Sequence, residues 1–166
     1  MRDLVRLGLR PATLAALVAF AALTPAHAAP PAPASCLALQ SGANATLGAA
    51  STVALGPVSY PGQADAPGCT VTFTGSGKVF GTSFQAVAAK LDAMMQSRGW
   101  APDNNAAADG PTGTAMGYRK GEAAVAVSVN YATPKGVCSP DAPVASCQPT
   151  AAQMRYAITL GLTPAS

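Results

Sequence analysis

The sequence predicts an α+β fold: one helix packed on a four- or five-stranded antiparallel sheet, element order β-α-β-β-β, with two disulfides. Three observations carry this. Apolar and polar residues alternate at period two from Cys69 to Thr74, from Val125 to Tyr131 and from Met154 to Leu162. Between the first two runs, Phe84, Val87, Ala88, Leu91 and Met95 fall at helical spacing. Four cysteines, Cys36, Cys69, Cys138 and Cys147, follow a leader-like N-terminus.

The leader comes first along the chain. Arg2, Arg6 and Arg10 precede a charge-free stretch, residues 12–23, and Ala26-His27-Ala28 ends in a small-x-small site. This is the layout of a secretory signal peptide cleaved after Ala28, and its apolar run falls short of the ~20 residues a spanning helix needs. Cleavage leaves seven basic and six acidic residues, a net charge of +1. The seven are scattered, with Arg119-Lys120 the only adjacent pair, which argues against nucleic acid or an anionic membrane surface as partner. Cleavage also removes His27, the only histidine. Cys36 lies beyond a Pro-rich spacer rather than next to the apolar core, which argues against lipidation.

Residues 29–35, A-P-P-A-P-A-S, read as a polyproline-type tether, and residues 36–166 as a single disulfide-bonded domain. In residues 36–62 Val53, Leu55 and Tyr60 suggest a strand, but Gly48, Gly56 and Pro57 interrupt it, so weak strand and loop are expected. The Cys69 strand ends at Gly75-Ser76-Gly77. The helix spans about 83–98: Thr82 and Gln85 form a capping box, Gly99 takes the left-handed position after the last turn, and Trp100 folds back onto Met95 in a Schellman-type contact. Residues 101–113 carry Pro102, Asp103, Asn104, Asn105, Asp109, Gly110, Pro111 and Gly113 and are expected to be loop. Met116 and Tyr118 alternate, Lys120-Gly121 marks a turn, and the Val125 run completes a hairpin before the final strand.

An even cysteine count in an exported chain reads as two bridges. The favoured pairing is Cys138 with Cys147, across the turn-rich segment 139–146, and Cys36 with Cys69. On the loop-entropy model these are worth about 2.7 and 3.8 kcal/mol. Neither the C-x-x-C spacing of a redox centre nor the close pairs of a zinc site occur.

The motifs that carry chemistry are sparse. Gly75-x-Gly77-x-x-x-Gly81 misses both the dinucleotide fingerprint and the P-loop spacing. Asp103, Asn104, Asn105 and Asp109 offer oxygen ligands to calcium, but the alternation of an EF-hand loop fails at Ala107. Without histidine a serine nucleophile needs a lysine base, and neither a G-x-S-x-G elbow nor an S-x-x-K sequence follows the leader. Asn44-Ala45-Thr46 matches the short glycosylation sequon.

No catalytic residue, cofactor or metal ligand is therefore expected. The candidate binding residues are Trp100, whose indole can stack or anchor, with Asp103, Asn104 and Asp109 beside it and Tyr118 and Arg119 at the hairpin tip. The expectation is a periplasmic or secreted protein with a non-catalytic binding or envelope-structural role, its partner an envelope or extracellular protein or a glycan. One alternative is a hydrolase using Asp103 and Asp109 or a Ser-Lys pair. Another is a protease inhibitor, because a helix wrapped by an antiparallel sheet also describes cystatin topology. Gln85-Ala86-Val87-Ala88-Ala89 lacks the glycine of the inhibitory Q-x-V-x-G loop.

Overall fold

The computed structural model describes residues 32–138 and 146–165. The leader, residues 29–31 of the tether and most of the turn between Cys138 and Cys147 lie outside them. The elements are α1 (Ala34–Leu47), β1 (Thr52–Val58), β2 (Ala66–Ser76), the single turn α2 (Gly77–Phe80), α3 (Phe84–Ser97), β3 (Ala101–Gly110), β4 (Gly113–Lys120), β5 (Ala123–Ala132) and β6 (Arg155–Thr163). The strands form one antiparallel sheet in the order β1-β2-β6-β5-β4-β3. The fold is therefore α+β as expected, with more elements than the sequence suggested: six strands, and three helices among the described residues.

α1 corrects the first part of the reading of residues 36–62 as weak strand and loop, whereas β1 bears out the strand at Val53 and Leu55, and the tether ends one residue before α1, at Pro33. The helix was hidden by its composition. Its buried positions, Cys36, Leu39, Gly42 and Ala43, are helically spaced but mostly small. Gly48, which looked like a strand breaker, is the left-handed C-cap at φ 63°, and its N–H donates to Asn44 O at 2.9 Å. Gly42 has a specific reason: a Cβ there would lie 2.3 Å from the Arg98 guanidinium, whose Nη1 donates to Ala38 O at 3.0 Å as it crosses the helix. The glycosylation sequon lies within α1, where Asn44 Oδ1 accepts from Ser51 Oγ at 2.7 Å.

β1 is an outer strand, which is how it tolerates proline. Pro57 faces Pro67 across the β1–β2 ladder, and neither has an N–H, so this must be a non-hydrogen-bonded pair. By alternation Thr52, Ala54, Gly56 and Val58 turn their backbone groups toward β2, while Val53, Leu55 and Pro57 turn theirs outward.

β3 corrects the second misreading, the loop at 101–113. It pairs with β4, with a register shift between Asp103 and Ala108. Pro, Asp, Asn and Gly mark loops, but they also mark protected outer strands, where bulges and charges keep a free edge from pairing with another chain. One strand of context cannot separate the two readings.

α3 is the helix the spacing predicted, shorter by a residue at each end. Its cap is Ser83, not Thr82: the Ser83 hydroxyl accepts from Ala86 N at 3.1 Å and donates to Gln85 Oε1 at 3.1 Å. The far end is a Schellman motif, with Gly99 at φ 77°, Trp100 N donating to Met95 O at 3.1 Å and Gly99 N to Gln96 O at 2.9 Å.

α1 and α3 cover one face of the sheet. Phe84, Val87, Ala88, Leu91, Met94 and Met95 of α3 meet Val71, Phe73, Val125, Val127, Val129, Ile158, Leu160 and Leu162, all buried. Cys36 joins Cys69 at a Cα separation of 6.2 Å, tying α1 to β2, and Cys138 joins Cys147 at 5.4 Å. Both pairings are those the spacing favoured. Two disulfides suit an oxidising compartment rather than the cytoplasm, and no helix among the described residues is long and apolar enough to cross a membrane.

Candidate functional site

The sheet's second face, away from the helices, is built from small and hydroxylated side chains because every alternate strand position points there. The ladder register aligns Thr52, Thr72, Thr159, Ser128, Ala115 and Ala108 in one row across all six strands. The adjacent row is Ala54, Thr70, Gly161, Ala126, Gly117 and Asp103. This second row is not simply solvated. The chain leaving β1 folds over it, and Tyr60, 2% exposed, packs with Ala106 from the β3 bulge and with Ala124 in a small core of its own.

Two glycines make room for this roof. A Cβ on Gly161 would lie 2.8 Å from Val58 Cγ1, and one on Gly117 would lie 2.4 Å from the Ala106 Cβ and 2.7 Å from the Tyr60 hydroxyl. Gly117→Val is accordingly expected to lift the roof and cost roughly 1–3 kcal/mol, the usual range for overpacking. Urea unfolding measures it, and a loss under ~0.5 kcal/mol would show that the roof is not held against β4.

A polar latch fastens the roof. The Tyr60 hydroxyl donates to Asp103 Oδ2 at 2.9 Å, and Arg119 Nε donates to the same oxygen at 2.8 Å. The Arg119 guanidinium lies over the Tyr60 ring, 4.7 Å from its centroid. With its amide oxygen turned toward this group, Gln63 accepts from Arg119 Nη1 at 3.0 Å and Nη2 at 3.1 Å. Asn105 N donates to Asp103 Oδ1 at 3.2 Å, starting the bulge. Burial, then the hydrogen bond to the Asp103 carboxylate, pushes the Tyr60 phenol up to about 12, so it stays a protonated donor. The Arg119 and Tyr60 hydrogen bonds hold the Asp103 carboxyl below its ordinary value.

A depressed carboxyl pKa means that the unfolded chain takes up a proton first as the pH falls. The latch therefore contributes in full above the ordinary carboxylate value of ~3.9 and is lost as the pH drops through the lower folded value. Asp103→Asn should be less stable than the parent at neutral pH, and the gap should close below about pH 4. Denaturant midpoints measured from pH 7 to pH 2 test this; a gap independent of pH would remove Asp103 ionisation from the account.

Between the roof and the sheet lies a cavity of about 240 Å³, lined by Pro57, Val58, Ser59, Pro61, Thr70, Ala106, Ala115, Met116, Ala126, Val127, Ser128, Thr159 and Gly161. Apolar surface and hydroxyls make up this lining. A broader open depression beyond the latch is lined by Pro61, Ala101, Pro102, Asp103, Asn104, Asn105 and Arg119.

The six residues singled out from sequence do not form one patch. Asp103 and Arg119 meet in the latch, and Asn104 sits beside them, exposed on the bulged strand. Asp109, also exposed, accepts from Thr114 Oγ1 at 2.6 Å. Tyr118, placed at a hairpin tip by the sequence, turns to the helix side, is 1% exposed and donates to Asp92 Oδ1 at 2.9 Å. Trp100 packs partly buried against the main core. Sequence reasoning missed Tyr60, Gln63 and Ala106, and nothing local marks them: Tyr60 and Asp103 are 43 positions apart. In comparisons with known proteins, no family model, no curated protein and no solved structure matches this chain.

Proposed function

We propose that this is an exported, periplasmic or secreted protein that acts by binding, and that its working surface is the roofed second face of the sheet. The observation that carries the reading is the cavity itself: apolar walls with the hydroxyls of Ser59, Thr70, Ser128 and Thr159, and no ionisable side chain in the lining. Such a lining suits a neutral group with an apolar body and a few polar atoms. Proton-transfer chemistry wants titratable groups with perturbed pKa values in a cleft. The carboxylates around it are engaged: Asp65 Oδ1 accepts from the hydroxyl of the lining residue Ser59 at 2.6 Å, and Asp103 is held below its ordinary pKa by Arg119 and Tyr60. At about 240 Å³ the cavity is smaller than the roughly 300–1,000 Å³ of sites for free small molecules. It fits one inserted group of a larger partner, an envelope or extracellular protein or a glycan.

Ala115→Leu fills the cavity from β4, whereas Trp100→Ala alters the opposite side of the sheet. In pull-downs from envelope extract the species retained by the parent should be lost with Ala115→Leu and kept with Trp100→Ala. Equal capture by parent and Ala115→Leu would sink the assignment.

A further inference from the structure

The two edges of the sheet are protected very differently. β3, the outer strand on one side, carries Pro102, Asp103, Asn104, Asn105 and Asp109 and a register shift, all devices that keep a free edge from pairing. β1, on the other side, has none of them except Pro57 near its end. Its seven residues are Thr-Val-Ala-Leu-Gly-Pro-Val, and Leu55, central in the strand, is 42% exposed. Moreover, no charged residue occurs anywhere from Ala32 to Ala64, so α1, β1 and the turn between them contribute no ionised side chain; the charges nearest them are Arg98, which crosses α1, and Asp65, beyond the end of β1. Depletion of charge is the compositional mark of an interface core, and an uncharged edge is the kind that pairs.

We propose that β1 pairs with β1 of a second copy of this chain, joining two six-stranded sheets antiparallel about a two-fold axis through Ala54. The register follows from the backbone. Val53 and Leu55 direct both their N–H and C=O groups outward, whereas Pro57 directs only a C=O. An axis at Ala54 sets Val53 opposite Leu55 of the partner and Leu55 opposite Val53, so all four outward N–H groups find carbonyls in the narrow pairs. An axis at Leu55 instead sets Val53 opposite Pro57 and strands the Val53 carbonyls. With the Ala54 axis, each Val53–Leu55 pair lies on the helix side of the joined sheet and the two Ala54 methyls meet on the second face. Charge favours a second copy: two neutral edges meet without desolvating an ion, whereas two β3 edges would bring Asp103 and Asp109 against their own images. Beside Leu55 each strand borders a groove of about 530 Å³, lined by Pro33, Pro57, Pro67 and Pro164 and by one charged side chain, Asp65, which accepts from Ser59 Oγ at 2.6 Å beyond the end of β1.

One strand pair covers less than the ~800 Å² per partner of a standard interface, so the dimer should be reversible, dissociating in roughly the micromolar range. Sedimentation equilibrium of the oxidised exported protein should show the mass doubling with concentration. Ala54→Lys puts two ammonium groups face to face across the axis, and Leu55→Lys puts one into each of the two Val53–Leu55 pairs that flank it. Each should weaken dimerisation by about tenfold or more, while Asn104→Lys on the opposite edge leaves it unchanged. Near-ultraviolet circular dichroism confirms that each variant is folded. A parent that stays monomeric up to ~1 mM, or a dimer that survives both lysine variants, overturns the proposal.

Discussion

Removing the Cys36–Cys69 bridge by the paired change Cys36→Ala and Cys69→Ala is expected to lower stability by about 3.8 kcal/mol, because the unfolded chain regains the freedom of a 33-position closure. This is a large share of the roughly 5–15 kcal/mol available to a domain of this size. The structure adds a reason why the loss should fall on α1. That helix has little of its own to hold it: no charged residue, no side-chain N-cap, and a buried stripe of Cys36, Leu39, Gly42 and Ala43. Its remaining ties include the packing of that stripe, the Arg98 bond to Ala38 O, the Gln40 bond to Ser51 O at 3.1 Å and the Ser51 Oγ bond to Asn44 Oδ1 at 2.7 Å. Urea unfolding should show a lower midpoint with a steeper slope, since an uncrosslinked chain exposes more surface. Hydrogen exchange should show α1 opening before the sheet. The shorter Cys138–Cys147 bridge should cost about 2.7 kcal/mol on the same model. Equal losses for the two bridges would contradict the entropic account.

Phe73→Ala is expected to cost roughly 3–5 kcal/mol, the range for deleting a buried aromatic ring. Phe73 is fully buried on the helix side of β2 and meets Phe80 edge-on, with ring centroids 6.5 Å apart. Phe80 in turn meets Tyr156 at 5.6 Å, so the cavity would open inside an aromatic cluster that closes this end of the core. Thr72, one position earlier on the same strand, points to the second face in the row of hydroxyls. Thr72→Ala should change stability by less than ~0.5 kcal/mol. Thermal or urea unfolding of the two variants side by side reads the alternation directly: comparable losses at 72 and 73 would mean that the faces are assigned wrongly.

Where the sequence was legible, bulky residues carried the period. Val71, Phe73, Val125, Val127, Ile158 and Leu160 alternate strongly enough to name three strands and the face each buries. Phe84, Val87, Leu91 and Met95 do the same for α3. α1 was lost because a helix tied down by a disulfide and crossed by Arg98 can bury alanine and glycine in place of leucine, which flattens the periodic signal. The cap is Ser83 rather than Thr82: the two adjacent residues both offer a hydroxyl, and local sequence does not rank them, but it is Ser83 Oγ that accepts from Ala86 N.

For the candidate site, the residue types of β3 were noticed and its conformation was not. Asp103 and Arg119 stood out as charges, yet their partner Tyr60 belongs to a segment whose conformation is decided by where the sheet lies beneath it. Gly117 and Gly161 were plain strand glycines until the roof showed what they accommodate.

The amino-acid sequence by itself determined the α+β class, α3, four of the strands (β2, β4, β5 and β6) and, through cysteine spacing, both bridges, because each depends on neighbours within one element or on a simple pairing choice. Tertiary structure alone decided that residues 101–110 form an edge strand, that Tyr118 turns inward, and that Tyr60, Asp103 and Arg119 converge over the second face. The reason is physical: an edge and a roof are defined by what lies beside and beneath them, and those contacts join residues dozens of positions apart, where local periodicity carries no information.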